Sequence, residues 1–196
     1  MARQAERSAL TIQSVLDAAR VLFAAHGYDA VSMDMIAAEA GIAKGAVYHH
    51  FAAKRDVFER VLDTIQANVA VALAANRAPV ATRATARSIA RSVGAYLDAA
   101  LQPAARRILL VDGPVVLGWQ RWREIDDRYF AAGIRRGVAS LMPEEAKPAE
   151  REAVTRLVMG AIMEAALACG EVDDPHAIAR DFVAALEKML SGVQSS

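Results

Sequence analysis

Apolar residues recur at three- and four-residue spacing along most of this chain, and no alternating pattern longer than a few residues breaks the rhythm. That period places side chains on one face of a helix. Ile12, Val15, Leu16, Ala19, Leu22 and Phe23 form a stripe over about 8–25, and Gly27 stops it. Phe58, Val61, Leu62, Ile65, Val69 and Leu73 form a second stripe from Lys54 past Ala70, and Pro79 marks the break after it. Further helices are predicted over about 84–100, 104–110, 114–140, 149–169 and 175–191. Asp112-Gly113-Pro114 is a stop-and-restart signal, with Pro114 suited to a first helical turn and Asp112 to its cap. Pro143 to Pro148 is a charged loop, and Gly170 with the acidic turn Glu171 to Pro175 parts the last two helices. Two short helices within 32–51 bring the total to about nine, an all-α fold, in keeping with an alanine-rich composition.

Those two short helices carry the most specific chemistry. Ser32 is a candidate N-cap, and Met33, Ile36, Ala37 and Ala40 share one face. Gly41 stands where the chain must turn sharply, a place for positive φ. Ile42, Val47 and Phe51 then anchor a second helix whose other side shows Lys44, Gly45 and Tyr48, with no acid between Gly41 and Arg55. Gly45 within a helix costs about 1 kcal/mol against alanine. Close approach of another backbone, base or phosphate accounts for it. This is the form of a helix-turn-helix that sets its second helix in the major groove of DNA.

The stretches Val15 to Phe23, His26-Gly27-Tyr28, Met35 to Ile42, Lys44-Gly45, Val47 to Phe51 and Lys54 resemble, without a gap, the DNA-binding domain of the TetR family of bacterial transcriptional regulators. The resemblance covers about a quarter of the chain. It implies an N-terminal three-helix DNA-binding head (1–53) and a C-terminal helical ligand-binding and dimerisation body (54–196). It makes Lys44 and Gly45 base-edge contacts. It gives Tyr48, His49, His50 and Lys54 to phosphates or thymine methyls, and Ser32 to a phosphate at a helix N-terminus. Ala43 and Ala46 stand where the family often has Ser or Thr, which removes two hydroxyls and bears on sequence preference. Structural readings stand beside these: Phe51 as core, Lys54 as a solvated charge, and the adjacent histidines as surface residues, of which at most one can point at DNA.

Charge changes this picture only locally. Residues 1–60 hold seven Lys/Arg and seven Asp/Glu, and the whole chain of 196 residues is formally neutral. Arg3 and Arg7 in the N-terminal arm add to Lys44, Lys54 and Arg55, and it is the local field that meets phosphate.

Other classes fare poorly. Four histidines and one cysteine show no metal-ligand spacing and no phosphate-cradling glycine loop, so neither enzyme, metal site nor cofactor is expected. No apolar run reaches the ~20 residues of a membrane span, and the charged N-terminus is unlike a signal peptide. Cys169 alone forms no intrachain disulfide and suits a cytoplasmic protein.

The body must explain regulation. The helix over 149–169 is apolar almost all round, and that over 175–191 carries Ile178, Phe182, Val183, Leu186, Met189 and Leu190. One side of this pair can face a second copy, and the resemblance likewise implies a homodimer through about 149–191. A two-fold dimer suits a palindromic double-stranded operator with half-sites about 34–36 Å apart. For a small-molecule effector of unknown identity, Trp119 and Trp122 share a helix face and line a candidate pocket with Tyr96, Leu97, Tyr129, Met159 and Met163. Glu164 is its polar candidate, because a carboxylate on an apolar helix needs a partner, a proton or a pocket wall. These aromatics read equally as plain core. Arg83, Arg87 and Arg91 form one basic stripe, either a solvated face or a surface for an anion. The helix from Lys54 begins in the head and ends in the body, so it is the lever between them. A ligand-responsive repressor is the expected function, and a DNA-binding regulator or structural protein without an effector is the alternative.

Overall fold

A computed structural model describes residues 2–75, 84–170 and 172–194, the side chains of 2–4 and 194 excepted. Pro79, Arg83 and Glu171 lie outside the described residues, as does the side chain of Arg3. Among the described residues every regular element is helical. The chain forms two compact units: one runs to Ile65 and includes Pro103–Trp122, and the other comprises Gln66–Gln102 and Arg123–Ser196.

The first unit holds α1 (Ala2–His26), α2 (Met33–Glu39), α3 (Lys44–His50) and the start of α4 (Lys54–Ala75). Its later segment adds α6 (Pro103–Arg106), a π-helical turn (Arg107–Asp112), α7 (Gly113–Leu117) and the beginning of α8 (Trp119–Leu141). The stripes read from the sequence point inward: Val15, Ala19 and Phe23 of α1, Ile36 of α2, Val47 of α3 and Phe58 and Leu62 of α4 are all buried. Burying each large side chain contributes about 1.5–3 kcal/mol. By length and mean hydropathy of 1.2, Ala5–His26 is apolar enough to cross a membrane, against the expectation that no stretch would be. The average conceals a polar face of exposed Gln13, Asp17 and Arg20 opposite the buried one.

The Asp112-Gly-Pro signal works differently from its reading. Asp112 keeps helical dihedrals and caps nothing. Its Oδ2 instead accepts the Tyr28 N–H at 2.9 Å and lies 3.8 Å from Arg107 Nε. The chain breaks six residues after Asp112, at Gly118, whose φ of +76° ends α7, so the single helix expected over 114–140 is two. Trp122 is buried within this unit, its Nε1 donating to the Leu109 carbonyl at 2.8 Å.

The second unit contains the rest of α4, α5 (Ala86–Ala100), the rest of α8, α9 (Pro148–Ala168) and α10 (Pro175–Gln194). A capping box between Thr85 and Ser88 starts α5, satisfying two backbone donors reciprocally. Ile89, Val93, Tyr96 and Leu97 then form its buried face, and α10 packs along α5 and α9. The sequence reading buried α9 on more than one side. In the chain described alone, Thr155, Val158, Met163, Ala165 and Ala166 are buried, while Ala153, Arg156, Leu157, Gly160 and Glu164 form an exposed stripe. Glu164 is exposed and so needs neither a partner, a proton nor a pocket wall, which corrects its place in the expected pocket.

Gly113 tests the tight corner of the first unit. A Cβ there would meet the Ile108 carbonyl oxygen and Leu62 Cδ1 at 2.9 Å and Trp122 Cδ1 at 3.1 Å. Backbone cannot yield cheaply, so Gly113→Ala should destabilise by about 1–3 kcal/mol. The urea midpoint should fall at constant m, and an unchanged midpoint would contradict the corner described.

Candidate DNA-reading helix and ligand cavity

The turn between α2 and α3 forms as its residues dictate. Ser32 Oγ accepts the Met35 N–H at 3.1 Å, capping α2, and this leaves the hydroxyl proton available to a partner. Gly41 takes φ +66°. Its N–H donates to the Ala38 carbonyl, and the Ile42 N–H to that of Ala37, closing the end of α2. Ala43 gives α3 no side-chain cap, the consequence of the hydroxyl absent there. Val47 and Phe51 anchor α3 from below.

What α3 leaves exposed is Lys44, Gly45, Tyr48 and His49, with His50 half-buried. Tyr48 is 46% exposed, far more than a core aromatic would be. Around Gly45 no protein atom lies within 4 Å of where a Cβ would stand. Nothing inside the protein requires glycine at that position. His49 and His50 rings meet edge to face at 5.0 Å. Lys44 Nζ lies 2.7 Å from Asp34 Oδ1 and 5.8 Å from the centre of the Tyr48 ring. Both partners of that ion pair are largely exposed, so it is weak, salt-screened and exchangeable. Asp34 is not singled out by the sequence, where its place as the second residue of α2 gives no hint of Lys44 ten residues on.

Lys54 stands apart from this set. Its Nζ donates to the Tyr28 and Val31 carbonyls, each at 2.7 Å, and sits 4.1 Å from the centre of the Tyr28 ring. Two of its three donors hold the loop between α1 and α2, neither reaching outward nor simply solvated.

Within the second unit lies a cavity of about 560 Å³. Of the residues expected there, Tyr96, Tyr129 and Met159 line it, and Leu97, Trp119, Trp122, Met163 and Glu164 do not. Trp122 is core of the first unit, Trp119 is 49% exposed beside it, Met163 is buried and Glu164 is exposed. The walls are largely apolar, with Leu73, Val93, Ile134 and Ile162 beside the rings of Tyr96, Tyr129 and Phe130. Ser88, Arg91, Ser92 and Arg136 supply exposed polar lining, so one member of the basic stripe, Arg91, reaches the cavity.

Asp126 is the residue the sequence reading missed. Its Oδ1 accepts from Tyr96 Oη at 2.9 Å and from Gln66 Nε2 at 3.0 Å. Burial pushes its carboxyl up to about 6, with the charge of Asp127 adding and the Tyr96 and Gln66 hydrogen bonds and the charge of Arg123 opposing. Burial, then the Asp126 charge, also pushes the Tyr96 phenol well above its usual value. The signal was present: Asp126 lies at helical spacing from Trp122, Tyr129 and Phe130, an acid on the inward face of α8.

An all-helical chain with a short, exposed, acid-free helix after a glycine turn defines a helix-turn-helix DNA-binding regulator. Residues 15–61 match the model for bacterial regulatory proteins of the tetR family. Residues 86–193 match that for a tetracyclin repressor-like C-terminal domain. The chain belongs to the TetR family, whose members are DNA-binding transcriptional regulators and not enzymes. It is 27% identical to the transposon Tn10 TetC protein of Escherichia coli over 84% of this chain and 82% of that one. A TetR-family regulator from Pectobacterium atrosepticum shares the fold at a TM-score of 0.77, with 29% identity and 96% of each chain covered. RolR, solved with resorcinol, shares the fold alone, at a TM-score of 0.69 and 18% identity over 97% of this chain and 96% of that one.

The Asp126 carboxyl makes stability depend on pH. Folded, it keeps its proton to about pH 6, whereas an unfolded aspartate loses it near 3.9. Between those values the folded state binds the extra proton, so stability falls as pH rises, by about 3 kcal/mol in all from this group. Asp126→Asn keeps the oxygen that Tyr96 and Gln66 bond and removes the titration. Unfolding free energies of the two proteins from pH 4 to 7.5 should therefore diverge, the wild type losing ground to the variant. A constant difference would mean that the carboxyl titrates normally.

Proposed function

We propose that this protein is a homodimeric, effector-responsive repressor that binds a palindromic operator in the cytoplasm. Residues 1–53 read DNA, and 54–196 regulate and dimerise. The observation that carries the reading is α3, with Lys44, Gly45, Tyr48 and His49 facing outward and open space over Gly45. A helix backbone bare of its own side chain can approach base edges closely, while Lys44 exchanges Asp34 for an acceptor on DNA. Ser32 donates its free hydroxyl proton to a phosphate, Tyr48 with His49 or His50 flanks the contact, and Lys54 positions the loop behind it.

Two further observations support the rest. On α9 and α10 the exposed residues include Leu157 at 71%, Gly160, Ala184, Ala185 and Met189 at 61%, small and apolar positions suited to a two-fold helix pair. The cavity supports an effector, as does the structure of RolR in complex with resorcinol on the same fold. Helix α4 contributes to both compact units and so offers a covalent route between them. An effector must favour one state, typically by ~1–3 kcal/mol of coupling.

Selection from a random DNA pool at stated salt should enrich a palindrome, and failure to enrich any sequence would overturn the specific-regulator reading. Gly45→Ala separates reading from folding. It should leave stability equal or raise it by up to about 1 kcal/mol, because the added methyl meets nothing. Operator affinity, measured by fluorescence anisotropy, should fall by about tenfold or more. Unchanged affinity would show that this face does not approach DNA.

A further inference from the structure

The cavity's charge pattern is specific enough to name a ligand class, an inference that rests on the effector-binding reading above. Both hydrogen bonds to Asp126 end on Oδ1, from Tyr96 and Gln66, and both donors are neutral. Among the described residues Oδ2 accepts no protein donor and no Lys, Arg or His nitrogen pairs directly with this carboxylate, on which the charge of Arg123 acts only from farther off. Gln66, with 1% of its surface exposed, adds a second acceptor without a donor, its Oε1. The cluster therefore holds more acceptor capacity than the protein's own donors fill. Such a group is costly to keep in an apolar surrounding unless something supplies the donor and the charge.

The same cavity is walled by three aromatic rings. Tyr96 and Phe130 meet edge to face at 4.9 Å, and Tyr129 and Phe130 lie 6.3 Å apart. A carboxylate among ring faces is the environment that attracts an organic cation, through ion pairing and the ring quadrupoles together. The remaining lining, with Leu73, Val93, Met159 and Ile162, accepts an apolar body. Arg91 and Arg136 also line the cavity, but both are exposed and solvated, and they disfavour a second positive charge on the ligand.

We propose that the effector is a monocationic amine on an apolar, aromatic-sized body, its ammonium donating to Asp126 Oδ2 among Tyr96, Tyr129 and Phe130. The volume of about 560 Å³ lies within the range that holds drug-sized molecules.

Three matched probes test it on the full-length protein without DNA, by isothermal titration at pH 7.5: 2-(1-naphthyl)ethylamine, 2-(1-naphthyl)ethanol and 3-(1-naphthyl)propionate. The amine should bind at least about tenfold tighter than either of the others. In Asp126→Asn the amine should drop to the level of the alcohol. Equal binding of amine and alcohol by the wild type, tightest binding by the carboxylate, a preference that survives in Asp126→Asn, or no binding of any probe below about 1 mM would each overturn the proposal. If the variant does not fold, the wild-type ranking decides alone. A separate titration of the operator complex with the amine addresses the function. Binding that leaves operator affinity unmoved would sink the effector-responsive reading while the ligand class stood.

Discussion

The peptide of Tyr28 joins three stretches of the first unit that are far apart in sequence. Its N–H donates to Asp112, 84 residues on, and its carbonyl accepts from Lys54. Its ring packs on Phe23 and Phe58 at 5.8 and 5.2 Å and carries the Lys54 ammonium over one face. The loop that delivers α2, and through it α3, is thus fixed by α4 on one side and by the π-helical turn on the other. Arg107 adds to this closure, its Nη2 donating to the His26 carbonyl at 3.4 Å. Arg55 extends it by donating to the carbonyls of Val116 and Leu117, and Arg121 by pairing with Glu59 at 2.6 Å. The reading helix is only seven residues long and has no side-chain cap. A helix that short is not stable alone. Its orientation is a property of the packing beneath it, and that packing is arranged around one tyrosine.

The second unit is organised around the opposite kind of element, a group that weakens it. An inward-facing carboxylate held by two neutral donors, with the Arg123 charge acting on it only from a distance, is a poor choice for a core, since an apolar side chain of similar size would be tolerated better. Its neighbours are arranged to hold it: Tyr96 on α5 and Gln66 on α4 converge on the same oxygen from two helices. This convergence fixes the relation of α4, α5 and α8 inside the unit through one acceptor. Anything that satisfies the other oxygen changes the balance of all three.

What could be read from the sequence was local. The helices, their buried faces, the Ser32 cap and the Gly41 turn follow from spacing and from the chemistry of single residues, and they stand nearly where the pattern put them. The readings that failed depended on long-range partners. Lys54 looked like a phosphate or thymine-methyl contact, or a solvated charge, because Tyr28 and Val31 are 26 and 23 residues away. Asp112 looked like a cap because its true partner is further still. Trp119 and Trp122 looked like pocket walls because they share a face with Tyr129, but α8 passes from one unit to the other just after Trp122, and spacing along a helix carries no mark of that boundary. Glu164 misled for a related reason. Apolar neighbours on α9 suggested burial all round, whereas the stripe through Leu157, Gly160 and Glu164 is exposed.

Asp126 shows how that boundary could have been sensed. Its helical face is apolar on the Trp122 side and aromatic on the Tyr129 side, and an acid between them must be either solvated or accommodated. The next residue, Asp127, turns toward Arg123 instead, its Oδ2 3.8 Å from that Nε, and in the sequence makes the pair look like one acidic patch. Adjacent residues on a helix point about 100° apart, however, so only one of the two can be outward when the stripe is held. Together, the period of α8 and the lone Tyr of α5, at a buried position of its own stripe, contain the hydrogen bond that closes the cavity. Reading two stripes against each other, and not each alone, is what brings Asp126 out of a sequence with 23 acidic residues.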